Sequence, residues 1–270
     1  MLAMDITAQT RTAWVRWVDP GQPVRPFGTR DFRLLDIAER ARWRRIPRRI
    51  DRERFTTGRA TLKRLVSEIL DVPASTVAVV EQWFGDRRGR PQLWVGGRPS
   101  ELSMSITHSA SRVGVAVSDA RCGIDVQDVA AVVPVLHSGF AFAPGELQAI
   151  RTLDGSPEAQ ATLWWTRKEA ALKALGVGLL HPPHLLDARS EESLRATVPW
   201  GGEDPVTDNP DDIVPESPAG FGWAKEWDTL RIRDLDPGSP GYRASLALVG
   251  VPEGALIELR EVAAPVLELV

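Results

Sequence analysis

The sequence predicts an α+β fold in two halves of similar size, each combining helix with antiparallel strands, and three observations carry that expectation. Residues 51–70, DRERFTTGRATLKRLVSEIL, set Phe55, Leu62, Leu65, Val66 and Ile69 on one side of a helix. Alternating stretches such as SMSITHSASRVGVAV are separated by short turn formers, which favours strand-to-strand connection over helical crossovers. A second amphipathic helix runs through Ala161–Leu175, and strand-like alternation follows it. The boundary between the halves is expected near residue 122, giving 1–122 and 123–270.

In chain order, VAVVEQWF reads as a strand after the first long helix, GDRRGRP as a turn and QLWV as its hairpin partner. ELSMSITHSASRVGVAVSD predicts two strands around a THSAS corner, and CGIDVQDV a third, on which Asp125 and Gln127 share one face while Asp128 takes the other. Pro144 and Gly145 just before Glu146 mark a helix start. The Trp-rich helix ends at Gly176 and Gly178. Residues 187–220, acidic and rich in Pro and Gly, are expected to form a flexible insertion. RIRDLDPGSPGYRASLALVG then alternates as two strands about a turn, and LIELREVAAPVLELV offers a last strand or an extension.

Composition narrows the function classes. With 43% hydrophobic and 26% charged residues in 270, the chain is ordinary globular material. A net charge of −3 argues against a generally basic nucleic-acid or membrane binder, although residues 41–64 concentrate ten Lys and Arg against Asp51 and Glu53. One cysteine, Cys122, excludes an internal disulfide framework and a thiolate zinc cluster. The first residues lack the apolar run of a signal peptide and no segment reaches ~18 consecutive apolar residues, so a cytoplasmic protein without a membrane span is expected.

The chemistry-bearing residues gather in the middle of the chain. Asp125 on a strand and Glu169 on a helix could meet and bind a hard divalent cation, although such pairs also serve as caps and surface ion pairs. Lys168 sits near the centre of the apolar stripe formed by Ala161, Trp164, Trp165, Ala171, Leu172 and Leu175, so it must snorkel or find a buried partner, such as phosphate oxygens. Lys173, one turn after Glu169, could form an ordinary helical ion pair worth ~0.2–0.5 kcal/mol. His108, with the Thr107 hydroxyl beside it, could donate to an anion or be structural. No nucleophile elbow surrounds Ser109, and no Walker loop or dinucleotide fingerprint occurs.

The ordered set GRPQL, SMSITHSASRVGVAV, CGIDVQDV, FAFAPGEL and WTRKEAALKALGVGL resembles the surfactin-type (Sfp-like) family of 4′-phosphopantetheinyl transferases over roughly residues 54–180. That resemblance implies a pseudo-dimer of two similar α+β halves with coenzyme A in the cleft between them. The implied reaction moves phosphopantetheine from coenzyme A to a serine of an apo acyl or peptidyl carrier protein, releasing adenosine 3′,5′-bisphosphate. Mg2+, with Mn2+ possible, would bridge the pyrophosphate. A monomer serving polyketide and nonribosomal peptide synthesis is the implied setting.

Residue by residue, the resemblance makes Asp125 and Glu169 metal carboxylates and sets Lys168 and Lys173 against the phosphates, with Glu169, Lys173 and Lys168 as the catalytic group. Thr107 and His108 match the pair that contacts the 3′-phosphate, Arg90 replaces the lysine of a Gly-Lys-Pro, and Glu146 matches a Phe-x-x-x-Glu carboxylate. Arg54 and Arg59 are further candidates for the nucleotide side. The chain departs from the family pattern at Gln127, where Gly-Ile-Asp-Ile-Glu would carry a third carboxylate. A two-carboxylate site completed by Gln127 or water and by substrate oxygens is therefore expected. Gln127 also favours a competing class, a non-catalytic relative that binds coenzyme A or a carrier protein. A third reading, single-stranded nucleic acid along the arginine run with Trp43 stacking, leaves Lys168 and Glu169 unexplained.

Overall fold

The computed structural model describes residues 10–19, 29–84, 87–132, 139–190, 195–196, 229–252 and 254–263. The first half runs β1 (Arg11–Val18), α1 (Thr29–Arg33), α2 (Ile37–Arg45), α3 (Arg49–Leu70), β2 (Val77–Val80), β3 (Trp83–Phe84), β4 (Arg87–Arg88), β5 (Gln92–Val95), β6 (Arg98–Pro99), β7 (Ser103–Ser109) and β8 (Arg112–Ser118). The second half runs β9 (Arg121–Asp128), α4 (Val129–Val132), α5 (Pro144–Thr152), α6 (Pro157–Leu175), β10 (Leu186–Asp187), β11 (Arg195–Ala196), β12 (Arg231–Leu235), β13 (Tyr242–Val249) and β14 (Ile257–Glu261).

Two sheets carry the architecture, one ordered β14-β1-β8-β7 and the other β12-β13-β9. All of their pairings are antiparallel except β1 with β14. Two successions of elements share a topology. A strand, a long helix and a hairpin (β1, α3, β7–β8) give the order β1-β8-β7, and the same succession (β9, α6, β12–β13) gives β9-β13-β12. The alternation of the strands explains the layering. Leu62, Leu65 and Val66 of α3 pack on Met104, Val115 and Val117 on one sheet face. Ala13, Val15 and Ala116 turn the other way, onto Ile124, Val126, Leu246 and Leu248 of the second sheet. Trp164, Ala171, Leu172 and Leu175 of α6 cover its far face with Ile232, Ala247 and Val249.

Helix α6 begins at Pro157, with Ser156 Oγ accepting from Ala159 N at 3.1 Å, and stops at Gly176, whose φ of 79° frees it to donate back to Leu172 O. Its approach to β9 is very close. A Cβ at Gly123 would stand 2.0 Å from Ala170 O, so only glycine lets the backbones come together there.

β7 and β9 are edges of different sheets, and side-chain hydroxyls join them. Cys122 N donates to Ser103 Oγ at 2.9 Å, Ile124 N to Ser105 Oγ at 3.1 Å, Val126 N to Thr107 Oγ1 at 3.1 Å, and Asp128 N to Ser109 Oγ at 3.0 Å. The constant offset of 19 residues means that the two strands run parallel. Buried backbone N–H groups need acceptors, and here a hydroxyl at every second position of β7 supplies them.

That seam explains a departure from the expected THSAS corner. Thr107, His108 and Ser109 stay in the strand, where two of their hydroxyls satisfy β9, and the turn shrinks to Ala110, at φ 43°, and Ser111. The expected strand over VAVVEQWF likewise divides into β2 and β3, while β2 and β5 form the expected hairpin, with Val77 opposite Val95. β1, which pairs with both β8 and β14, was not among the expected elements. Most of the acidic stretch at 187–220, where the flexible insertion was expected, lies outside the described residues.

Candidate active site

Asp125 is the centre of the site, 1% exposed and midway along β9. Its Oδ1 accepts from Thr107 Oγ1 at 3.0 Å and from Lys173 Nζ at 2.5 Å, and its Oδ2 accepts from Gln127 Nε2 at 3.1 Å. The close contact at Gly123 is what brings α6, and with it Glu169 and Lys173, over this carboxylate. Lys173 Nζ also donates to Ile124 O at 3.1 Å, which holds the ammonium on the strand.

Glu169 differs in kind. Its Oε1 is buried with no hydrogen-bond partner among the described residues. Burial pushes its carboxyl up, the Asp125 charge adds to that, and Lys173 opposes it. Two carboxylates in reach of each other, one with an orphaned oxygen, fit a hard divalent cation, which would supply the missing partner. Among the described residues no group of three or more His, Cys, Asp or Glu is placed to hold a metal.

Gln127 presents its amide nitrogen to Asp125, while its Oε1 accepts from Ser109 Oγ at 3.3 Å. The expected direct oxygen ligand is therefore engaged elsewhere in this arrangement. His108 lies on the rim and is exposed. Its imidazolium is disfavoured by burial of part of the ring first, then by Arg54 and Lys173. Arg54 donates through Nε to Ala110 O at 2.8 Å and through Nη1 to Asp51 at 2.9 Å, which ties α3 to the β7–β8 turn. From the second half, the Tyr242 hydroxyl accepts from Ser111 N at 3.3 Å at the same turn.

Four candidates stand elsewhere. Lys168 is fully buried, and its ammonium donates to Ala141 O at 2.8 Å and to Glu146 Oε2 over the Phe142 ring. Its expected phosphate contact is not what the placement gives, because a cation on an apolar stripe has found an internal anion. Glu146 is correspondingly structural. It ties down the start of α5 by accepting from Ala143 N at 2.9 Å, and its Oε1 accepts from Ala188 N at 2.9 Å. Arg59 points at α2, 3.5 Å from Glu39, and lies along the Phe55 ring. Arg90 sits at the far end of the seam, where its Nη2 donates to Ser103 Oγ and, at 3.0 Å, to Cys122 O.

The structure thus gathers Arg54, Thr107, His108, Asp125, Gln127, Glu169 and Lys173 where β7, β9, α3 and α6 converge. The expectations omitted Ser109, which orients Gln127, and Tyr242, which braces the turn. Ser109 had a signal in the spacing Ser103, Ser105, Thr107, Ser109, since hydroxyls at every second residue mark one strand face.

A family model described as the 4′-phosphopantetheinyl transferase superfamily matches residues 121–209, the segment that holds β9 and α6. The chain is 30% identical over 181 residues to the 4′-phosphopantetheinyl transferase HetI of Nostoc, covering 64% of this chain and 73% of that protein. It is 31% identical over 152 residues to the Synechocystis protein slr0495, named for the same activity, covering 54% of this chain and 58% of that protein, less than two thirds of its length. It is 27% identical over 178 residues to the 4′-phosphopantetheinyl transferase psf-1 of Bacillus pumilus, covering 66% of this chain and 70% of that protein.

Proposed function

This chain belongs to the 4′-phosphopantetheinyl transferase superfamily, and on that premise we propose that it moves phosphopantetheine from coenzyme A to a serine hydroxyl of an apo acyl or peptidyl carrier protein, releasing adenosine 3′,5′-bisphosphate. The observation that carries the reading is the Asp125–Glu169 pair, with Lys173 over one carboxylate and the Glu169 Oε1 without a hydrogen-bond partner among the described residues. Asp125 and Glu169 would hold Mg2+ or Mn2+, with Gln127 acting through water. The ion would neutralise charge on the pyrophosphate.

The chain's own residues do the rest. Lys173 brings a positive charge to the phosphate side of the Asp125 site. Glu169 would receive the serine proton through the carboxylate oxygen that the ion leaves free. His108 and Arg54 line the rim, where a 3′-phosphate would meet two donors. Lys168 with Glu146 fixes α6 against α5 from behind and so acts as a positioning pair. The matching β–α–β–β succession of the two halves supports a pseudo-dimer whose cleft takes coenzyme A, and with it the surfactin-type assignment. We assign the protein a cytoplasmic, monomeric setting serving polyketide and nonribosomal peptide carriers. No helix among the described residues is long and apolar enough to cross a membrane.

One observation favours a second reading. Asp125 already has three donors, as it would in a relative that binds coenzyme A or a carrier without turnover. Chromatographic detection of adenosine 3′,5′-bisphosphate separates the two. The transferase releases one per carrier modified, and a binder releases none.

A further inference from the structure

The Thr107 hydroxyl is fully committed within the protein. A hydroxyl has one hydrogen to donate. Thr107 gives its hydrogen to Asp125 Oδ1 at 3.0 Å and accepts Val126 N–H at 3.1 Å, with the residue only 4% exposed. Nothing is left to donate to a phosphate. Its methyl is also placed, since Cγ2 lies 3.1 Å from where a Cβ on Gly114 would stand, so the side chain uses the space that glycine leaves open. Branching at Cβ narrows the choice of χ1 and holds the hydroxyl toward β9.

Among the four seam hydroxyls, Ser109 is the other one that reaches this site. Its Oγ donates to Gln127 Oε1 at 3.3 Å, and Gln127 Nε2 passes the polarity on to Asp125 Oδ2 at 3.1 Å. Both oxygens of the buried carboxylate are therefore held by hydroxyls of the neighbouring sheet, one directly and one through an amide.

We propose that Thr107 is a positioning residue for Asp125 and not a nucleotide contact, with Ser109 and Gln127 fixing the second oxygen. The seam between the two sheets thereby sets the direction of the central carboxylate. The catalytic consequence rests on the transferase reading, whereas the positioning itself does not.

The test compares Thr107→Val, which keeps the shape and loses the hydroxyl, with Thr107→Ser, which keeps the hydroxyl. Hydrogen exchange at the Val126 amide, followed by NMR without substrate, reads the seam directly. Exchange is expected to quicken by about tenfold in the valine variant and to stay near that of the natural chain in the serine variant. In transfer assays the valine variant is expected to lose about 10–100-fold in kcat, with KM for coenzyme A changed by no more than about twofold and unaltered preference over 3′-dephospho-coenzyme A. Serine recovers most of the kcat. A raised KM with lost preference for the 3′-phosphate overturns the proposal, as does a serine variant no better than valine. If the natural chain transfers nothing, the transferase reading falls. The Val126 exchange rates then decide the positioning alone, and equal rates in all three proteins overturn it.

Discussion

Replacing Lys168 by methionine isolates the least expected feature of the helix that carries the site. The methylene stem keeps its packing, while the Glu146 carboxylate, 1% exposed, loses its cation and retains only the N–H groups of Ala143 and Ala188, each at 2.9 Å. Removing one partner of a buried ion pair leaves an uncompensated charge and costs about 3–5 kcal/mol. For a chain of this size each kcal/mol moves Tm by about 2–4 °C, so Lys168→Met is expected to lower Tm by about 6–20 °C. Glu146→Gln with Lys168→Met removes both charges and is expected to recover more than half of the loss, because the amide oxygen can still accept one of the two N–H groups. Urea unfolding at pH 7 of the four proteins of the cycle measures this. A Lys168→Met loss below about 1 kcal/mol, accompanied by a large rise in KM for coenzyme A, would refute the reasoning and put the ammonium on the ligand.

Three further outcomes follow from the same geometry. Gly123→Ala puts a Cβ 2.0 Å from Ala170 O, so α6 must retreat from β9, and transfer is expected to fall further than stability alone explains; full activity in a folded variant would contradict this. Gln127→Glu adds a negative charge beside Asp125 and is expected to lower the Mg2+ concentration for half-maximal transfer severalfold, read by metal titration; activity arising only in the variant would contradict the two-carboxylate site. His108 is held below its ordinary value of 6.5, so as pH falls the unfolded chain takes up this proton first and stability is lost from about pH 6.5 down to the folded midpoint. An NMR titration is expected to place that midpoint below 6.5, and His108→Asn to reduce the acid-side loss. A midpoint above 6.5 would mean that the Asp51 carboxylate outweighs burial, Arg54 and Lys173.

Periodicity made α3, α6 and the β7–β8 and β12–β13 hairpins legible, because one-sided burial writes itself into the spacing of apolar residues. It also placed Asp125 and Gln127 on one strand face, as their hydrogen bond requires. Lys168 shows where such reading stops. The stripe said that the cation needed a partner, but Glu146 is 22 residues away on another helix, and spacing within one element cannot name a partner on a second. Arg59 fails in the same way, since it shares a helix with Arg54 but faces α2. β1 was obscured because its polar and apolar positions include the buried Arg16, which lies paired with Glu68 and so breaks the alternation.

The central claim is tested most directly by intact mass spectrometry of purified apo carrier proteins incubated with this chain, coenzyme A and Mg2+, beside Glu169→Gln and chelator controls. A carrier heavier by one phosphopantetheine, and unchanged in both controls, is the predicted result. No gain on any carrier, from a folded protein that measurably binds coenzyme A, would contradict it.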